Sequence, residues 1–283
     1  MNVIEHNRAA WNRESSEGSE WSTPVGPDVI RAARDGVWNV VLTPRKAVPA
    51  SWFGDLRDKN VLCLASGGGQ QAPVLAAAGA NVVSFDLSEE QLKKDHEVAK
   101  RENLSLRCVR GDMADLSEFS AEQFDLIFHP ISNVFVPDVE VVWSECFRVL
   151  APGGDLLSGF MNPSFFLFDH EEAERSGVLV AKFTLPYAEP DSLDSDRKRR
   201  WMEICSAAQF SHSLESQIGG QIAAGFVITG FYEDSWSDEA TPLNRFSPVA
   251  IATRAANVTS NNALHRTANE LSAGVIGHRD DRQ

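Results

Sequence analysis

Three clusters of residues in this chain have the types and spacing to hold a nucleoside. The first is the turn Ser66-Gly67-Gly68-Gly69, which follows the apolar run Val61-Leu62-Cys63-Leu64 and precedes a helical pattern. Glycines lack Cβ atoms, so a ligand can approach the main chain closely. A strand-to-helix turn also aims backbone N–H groups and the positive end of a helix dipole at one point, where an anion or carboxylate belongs. Alone, the turn equally suits a dinucleotide or a plain tight bend. The second cluster is Asp86, 19 residues beyond Gly67 at the end of the next apolar run, where a carboxylate can accept from both ribose hydroxyls. The third is Gly111-Asp112-Met113, whose aspartate can accept from an adenine amino group while the methionine packs on the ring. Either aspartate by itself also reads as a cap or turn residue; their joint placement at neighbouring strand ends favours the nucleoside.

The elements that must position these clusters alternate short apolar runs with longer amphipathic ones, the pattern of parallel strands joined by crossover helices. Strands are expected at 61–64, 81–85, 106–109, 124–128 and 155–160, with helices over 70–78, from Ser88 to about Arg101, and from Pro137-Asp138 to about Leu150. Ser88 and Gln91 have the spacing of a capping box. A helix over 217–224 leads into strands at 227–232 and 248–255 with no helix between them, which implies an antiparallel edge. The expected fold is α/β: a doubly wound, mostly parallel seven-stranded Rossmann-like sheet with an antiparallel edge strand and helices on both faces. Residues 1–58 form a helical N-terminal segment that either pads the sheet or covers the site, and it carries Trp11, Trp21, Trp38 and Trp52. The domain proper spans 59–256. The connection at about 161–216 is too long for a simple loop and reads as an inserted substrate cover. The tail 257–283, polar and aperiodic, is expected to be disordered.

Composition narrows the partners. Forty acids against 26 bases give a formal charge of −14, which opposes phosphate-coated partners and makes nucleic acid a poor substrate. The basic run Arg197-Lys198-Arg199-Arg200 reads as a solvated helix face. The N-terminal residues lack the apolar stretch of a secretory signal and no run is long enough to span a membrane, so a soluble cytoplasmic protein without a membrane partner is expected. The cysteines 63, 108, 146 and 205 are far apart and read as reduced core residues, and no spacing of His, Cys, Asp or Glu matches a metal site.

With these motifs in order, the chain resembles the class I S-adenosylmethionine-dependent methyltransferases, in particular those that act on small molecules. The likeness runs from about Lys59 to Arg254 through LASGGGQQ, FDLS, RGDMADL, the FDLI strand, RVLAPGG and the hairpin VITGFYED with SPVAIATR. The resemblance implies S-adenosylmethionine as cofactor. Its methionine portion would lie on Ala65, Ser66, Gly67, Gly68 and Gly69, its ribose on Asp86 with Leu87 and Gln91 nearby, and its adenine on Asp112 and Met113. The family usually has an acid in strand one and a glycine opening the loop, where this chain has Cys63 and Ala65; carbonyls, Gln70 or Gln71 are then left to hold the ammonium. Val134-Phe135-Val136 replaces a histidine pair common before the PD motif, and His129-Pro130-Ile131-Ser132 only faintly echoes the NPPY-like tetrapeptide of nucleic-acid methyltransferases.

Methyl transfer from an activated sulfonium needs positioning and exclusion of water more than a base. His129, at the end of strand four, is the candidate base for an oxygen or nitrogen nucleophile on a small-molecule acceptor. Asn133, Asn162 and His212 are candidate substrate contacts, and Phe135, Phe165, Phe166 and Phe168 a candidate apolar pocket, each with a structural reading beside it. Two other functions share much of the pattern: a non-catalytic S-adenosylmethionine-binding regulator, and a nicotinamide-dependent oxidoreductase. The second needs a glycine three residues after Gly67, where Gln70 stands.

Overall fold

The run Val61-Leu62-Cys63-Leu64 is inaccessible to solvent at all four positions, as a strand covered on both faces requires. In the computed structural model, which describes residues 2–237 and 239–258, it forms β1 (Asn60–Leu64) at the middle of one sheet. Parallel to it lie β2 (Asn81–Asp86) and β3 (Leu106–Arg110) on one side, and β4 (Phe124–His129) and β5 (Leu150–Met161) on the other. The last strands are β6 (Val227–Asp234) and β7 (Ala250–Ala256), β7 running antiparallel between β5 and β6. The order is β3-β2-β1-β4-β5-β7-β6. Succession therefore reverses between β1 and β4, and the crevice beyond the carboxyl ends of such a pair is where open α/β sheets bind ligands.

Alternation along β1 divides the core. Val61 and Cys63 join one apolar cluster with Leu75, Val98, Phe53 and Trp52, while Leu62 and Leu64 join another with Trp143, Cys146 and Val149. The helices are α1 (Val3–Glu17), α2 (Pro27–Arg34), α3 (Gln71–Ala77), α4 (Glu89–Glu102), α5 (Val139–Val149) and α9 (Gly220–Ala224), the last continuing a π-turn over Glu215–Gly219, with α6 (His170–Ser176), α7 (Glu189–Ser192) and α8 (Ser195–Ile204) in the insertion after β5. Local signals account for several boundaries. Asp138 caps α5 by accepting from the Glu140 N–H at 3.0 Å. Ser88 Oγ accepts from the Gln91 N–H at 3.2 Å to open α4, and Asn103 closes it in the left-handed region at φ 53°. The return half of the expected capping box is not made: Gln91 Oε1 is buried without a hydrogen-bond partner. Asn12 Oδ1 of α1 instead takes the Ser88 hydroxyl at 2.6 Å.

Two boundaries differ from the sequence reading. β5 begins at Leu150, not Asp155, because Leu150 already pairs with Phe124 and the Pro152-Gly153-Gly154 stretch is absorbed as a register shift within the strand. Asn257, expected to begin a disordered tail, is buried: its N–H donates to the Gly154 carbonyl at 2.9 Å and its side-chain amide to Leu150 at 2.9 Å. Residues 259–283 of the expected tail lie outside the described residues.

The N-terminal segment both pads and covers. Trp38 packs edge-on against Phe53 and Trp52 against Tyr232, whereas Trp11 and Trp21 line the large cavity described below. This segment also presses main chain against the sheet at Gly159 of β5, where a Cβ would stand 2.0 Å from the Leu42 carbonyl oxygen. That oxygen accepts from the Ile131 N–H at 3.1 Å and so ties the N-terminal segment to the loop after β4. Gly159→Ala is expected to destabilise the fold by about 1–3 kcal/mol through overpacking. The midpoint of urea unfolding measures it, and an unchanged midpoint would mean that residues 40–44 move aside freely.

Candidate active site

One cavity of about 1270 Å³ opens over the carboxyl ends of β1, β2 and β4. At one end its wall carries Ala65, Ser66, Gly67, Gln70, Gln71, Asp86, Leu87, Gln91, Asp112 and Met113, ten of the twelve residues the sequence assigns to a cofactor. Gly68 and Gly69 are not in the wall; a Cβ on either would meet Trp21 oxygen at 2.5 Å or Pro24 Cβ at 2.8 Å, so these glycines seat the N-terminal segment. Gly68 needs its lack of a side chain twice over, since its φ is 119°. Ala65 also adopts a left-handed φ, 47°, at the position where the resemblance expects glycine, and so carries some backbone strain at the cavity wall.

The turn does not offer its N–H groups to an anion as expected. Gly67 N–H donates to Asp86 Oδ2 at 3.0 Å, Gly68 N–H to the Gln91 carbonyl at 3.1 Å, and Gly69 N–H to Asp95 Oδ1 at 2.7 Å. These bonds fix the turn against two carboxylates instead. Asp86 Oδ1 accepts from the Ser88 N–H at 2.9 Å. Burial raises the Asp86 carboxyl above its ordinary range, opposed by these backbone amides. The glutamines are partly spent as tethers: Gln70 Nε2 donates to the Glu20 carbonyl at 2.7 Å, and Gln71 Oε1 accepts from the Val41 N–H at 3.1 Å.

Asp95 is the residue that sequence reasoning missed. It is fully buried on α4, where its Oδ2 accepts from the Ser84 hydroxyl at 2.6 Å. Burial, with the nearby Asp86 charge, pushes its carboxyl up to about 7, against the pull of Ser84 and the Gly69 amide. Ser84 is the strand neighbour of Cys63, the position where the resemblance expects an acid. A carboxylate is therefore present beneath the turn, supplied by the next helix rather than by β1. The signal was available: the buried positions of α4 are 91, 92, 95, 98 and 99, and an aspartate falls on that face.

Four residues assigned to catalysis or substrate are placed in structural roles. His129 is fully buried outside the cavity wall, its Nδ1 2.9 Å from the Leu64 carbonyl oxygen and its Nε2 2.6 Å from Asn133 Oδ1. Burial lowers its pKa against the pull of these two contacts, and neither nitrogen is left for an acceptor. Asn133 continues this buried chain to Gln217 at 3.1 Å. Asn162 caps the turn Pro163–Leu167 by accepting from the Ser164 N–H at 3.1 Å, and His212 Nε2 lies 2.9 Å from the Asn133 carbonyl. The candidate phenylalanines fare differently, since Phe135, Phe165, Phe166 and Phe168 all line the cavity.

Beyond the cofactor end, these rings and Met161, Tyr187, Trp201 and Trp236 make a second, aromatic chamber. Its roof is assembled from distant segments. The Asn7 side chain of α1 donates to the Phe135 carbonyl at 2.9 Å and the Ala208 carbonyl at 3.3 Å, and accepts from the Ala208 N–H at 2.7 Å. The insertion thus lies over the site, joined to the N-terminal helix. Its basic run is not a purely solvated face: Arg197 and Arg200 line the chamber, Arg197 pairing with Asp169 at 2.5 Å. Burial opposes ionisation of Asp169, but Lys182, the Glu172 amide and Arg197 together hold its carboxyl down to about 2.

A doubly wound sheet with a nucleoside-type pocket at its switch point, continuous with a covered aromatic chamber, defines an enzyme class that brings a nucleoside cofactor to a second substrate. The chain belongs to the class I S-adenosylmethionine-dependent methyltransferases. Residues 62–158 match the family described as a methyltransferase domain. Over 232 residues the chain is 50% identical to the uncharacterized methyltransferase YbaJ of Bacillus subtilis, an alignment covering 82% of this chain and 91% of the relative. It is 34% identical over 146 residues to a ubiquinone biosynthesis O-methyltransferase of Psychrobacter arcticus, covering 49% of this chain and 57% of that one. Among solved structures, an S-adenosylmethionine-dependent methyltransferase from Mesorhizobium loti shares the fold with a TM-score of 0.56 at 17% identity, over 73% of this chain and 94% of its own. Neither the non-catalytic nor the nicotinamide-dependent alternative gains support from these likenesses.

Asp95 makes stability depend on pH in a defined direction. Its folded-state carboxyl titrates near 7, above the ordinary 3.8, so the folded protein keeps a proton that the unfolded chain has already lost. Stability from this group is therefore greatest below pH 4, falls as pH rises towards 7 and is flat above. Between pH 5.5 and 8 the loss is about 2 kcal/mol. Asp95→Asn, which keeps an oxygen for the Gly69 amide, is expected to remove that share of the slope. Urea unfolding of both proteins at the two pH values measures it, and parallel slopes would refute the assignment.

Proposed function

We propose that the protein transfers the methyl group of S-adenosylmethionine to an oxygen or nitrogen nucleophile of a small-molecule acceptor held in the aromatic chamber. The observation that carries this reading is the continuity of the two halves: one cavity runs from Asp86 and Met113 to Phe166 and Trp201. Its residues fit the cofactor. Asp86, fixed by the Gly67 and Ser88 amides, presents a carboxylate to ribose hydroxyls, while Asp112, Met113 and Leu87 flank the place of the adenine. Ser66 Oγ and Gln91 Oε1 are buried polar atoms without partners in two residues of the same wall, as expected where a ligand's polar groups complete the set. The partial likeness to a ubiquinone biosynthesis O-methyltransferase supports an oxygen nucleophile.

Bound S-adenosylmethionine supplies a methyl group already activated on a sulfonium. The protein's task is then to orient the nucleophile in line, keep water out and bind both partners at once. Trp11 and Trp21 of the N-terminal segment and Tyr187 and Trp201 of the insertion close the cavity from two sides. His129 takes no part as a base in this reading. His170 lines the cavity, but its Nε2 lies 2.7 Å from the Phe165 carbonyl and its ring stacks on Phe165 at 3.7 Å between centroids. Positioning, rather than a dedicated base, is the proposed source of rate.

Asp86→Asn is expected to weaken cofactor binding by about 1–3 kcal/mol, roughly 10- to 100-fold, through loss of charge-assisted hydrogen bonds. Titration calorimetry with S-adenosylmethionine and S-adenosylhomocysteine measures it. An unchanged dissociation constant would remove Asp86 from the site, and no binding to the wild-type protein at millimolar cofactor would refute the whole reading.

A further inference from the structure

We propose that the acceptor is an uncharged, mainly apolar molecule of at least two rings' length, with one hydrogen-bonding group that Glu189 recognises. This inference rests on the proposed methyl transfer and deepens it. Size is the first consideration. Pockets for a single drug-sized ligand run to about 300–1,000 Å³, and this cavity, about 1270 Å³, has room for an extended molecule beside the cofactor.

The second consideration is the wall. Phe166 stacks on Tyr187 at 5.6 Å and Phe165 meets Trp236 edge-on at 5.3 Å, while Trp11 meets Phe135 edge-on at 5.1 Å. Flat rings presented from three separate segments favour an apolar guest, since its contacts with them replace contacts with water.

Charge is the third. The charged groups of the insertion that face the chamber are largely neutralised in pairs: Asp169 by Lys182 at 2.8 Å and by Arg197, and Glu171 by Arg200 at 3.5 Å. Paired in this way, the insertion's side of the wall offers neither an unopposed cation for an anionic acceptor nor, Glu189 apart, an unopposed anion for a cationic one. Glu189 is the exception. Among the described residues its carboxylate has no ion-pair partner, and the side chain's one hydrogen bond is accepted by Oε2 from the Gln209 N–H at 3.0 Å. Burial pushes its carboxyl up to about 7. Near neutral pH the group is substantially protonated, so it can donate to or accept from a hydroxyl without demanding a positive charge opposite it.

Three isosteric probes test the proposal: 4-phenylphenol, biphenyl-4-carboxylate and 4-phenylbenzylammonium, with phenol as a short control. Each is titrated into the protein saturated with S-adenosylhomocysteine at pH 7, and tryptophan fluorescence is followed. The phenylphenol is expected to bind at least tenfold more tightly than either charged probe and than phenol. Glu189→Gln, which can still accept the Gln209 N–H, is expected to weaken phenylphenol binding three- to tenfold with no change in S-adenosylhomocysteine affinity. Tightest binding by the ammonium probe, equal binding of all probes, or no binding of the phenylphenol would overturn the proposal. The wild-type probe series decides this even if the variant does not fold. Because S-adenosylhomocysteine binding is measured separately, its absence would instead defeat the methyltransferase reading on which the proposal stands.

Discussion

The site depends on the way one glycine turn is held down by carboxylates. Gly67 and Gly69 give their amides to Asp86 and Asp95, and these two acids sit at opposite ends of the first two turns that follow β2. The cost of burying them is offset only in part by backbone amides and by Ser84, none of which carries a charge, and both carboxyls stay above their ordinary range. Everything else at the cofactor end inherits its place from this arrangement. Asp86 can face the cavity because its second oxygen is anchored by Ser88, and Ser88 in turn is clasped by Asn12, which brings α1 over the pocket.

The acceptor end is built on a different principle. The residues that match the family profile stop at 158, whereas Phe166, Tyr187, Glu189 and Trp201 all follow it and Trp11 precedes it. The cofactor half is shaped by strand ends and short backbone bonds within the sheet. The chamber is shaped by packing between α1 and the short helices of the insertion, which isolated bridges such as Phe168 to Ala181 and Ala188 to Phe210 hold together. A sheet that matches the family model and a cover that lies outside it accord with the observation that folds host many functions through grafted sites.

Much of this was readable in the sequence, and the failures have physical causes. The seven strands, their order of appearance and the antiparallel hairpin followed from runs such as VLCL and FDLIF, because strands buried on both faces leave little choice of residue. That Asp86 and Asp112 share one cavity wall was legible because strand ends converge at a switch point whatever the loops do. His129 was misread because position at a strand end fixes proximity but not direction. Side chains alternate, and residue 129 shares the face of Ile127, towards Trp143 and the helical core, away from the cavity. Asp95 was overlooked because a charged residue in a helix is usually solvent-facing, and only its phase along α4 reveals otherwise. Glu189 left no trace, since residues 161–216 carry no period from which burial could be inferred.

The Asn7 clasp has a bearing on how the molecule comes together. Its bonds to Ala208 close a loop of 201 residues, among the longest-range contacts that a chain of this size can make. Contacts so distant in sequence carry a large closure entropy and form after nearer ones have reduced it. The parallel strands and the glycine turn, whose pairings span shorter stretches of chain, can be complete while the roof is still open. The order of assembly expected from topology thus follows the cavity itself: the end built on the strand termini can form first, and the roof is sealed last, by Asn7 together with His6, whose Nε2 lies 2.8 Å from the Ser206 carbonyl.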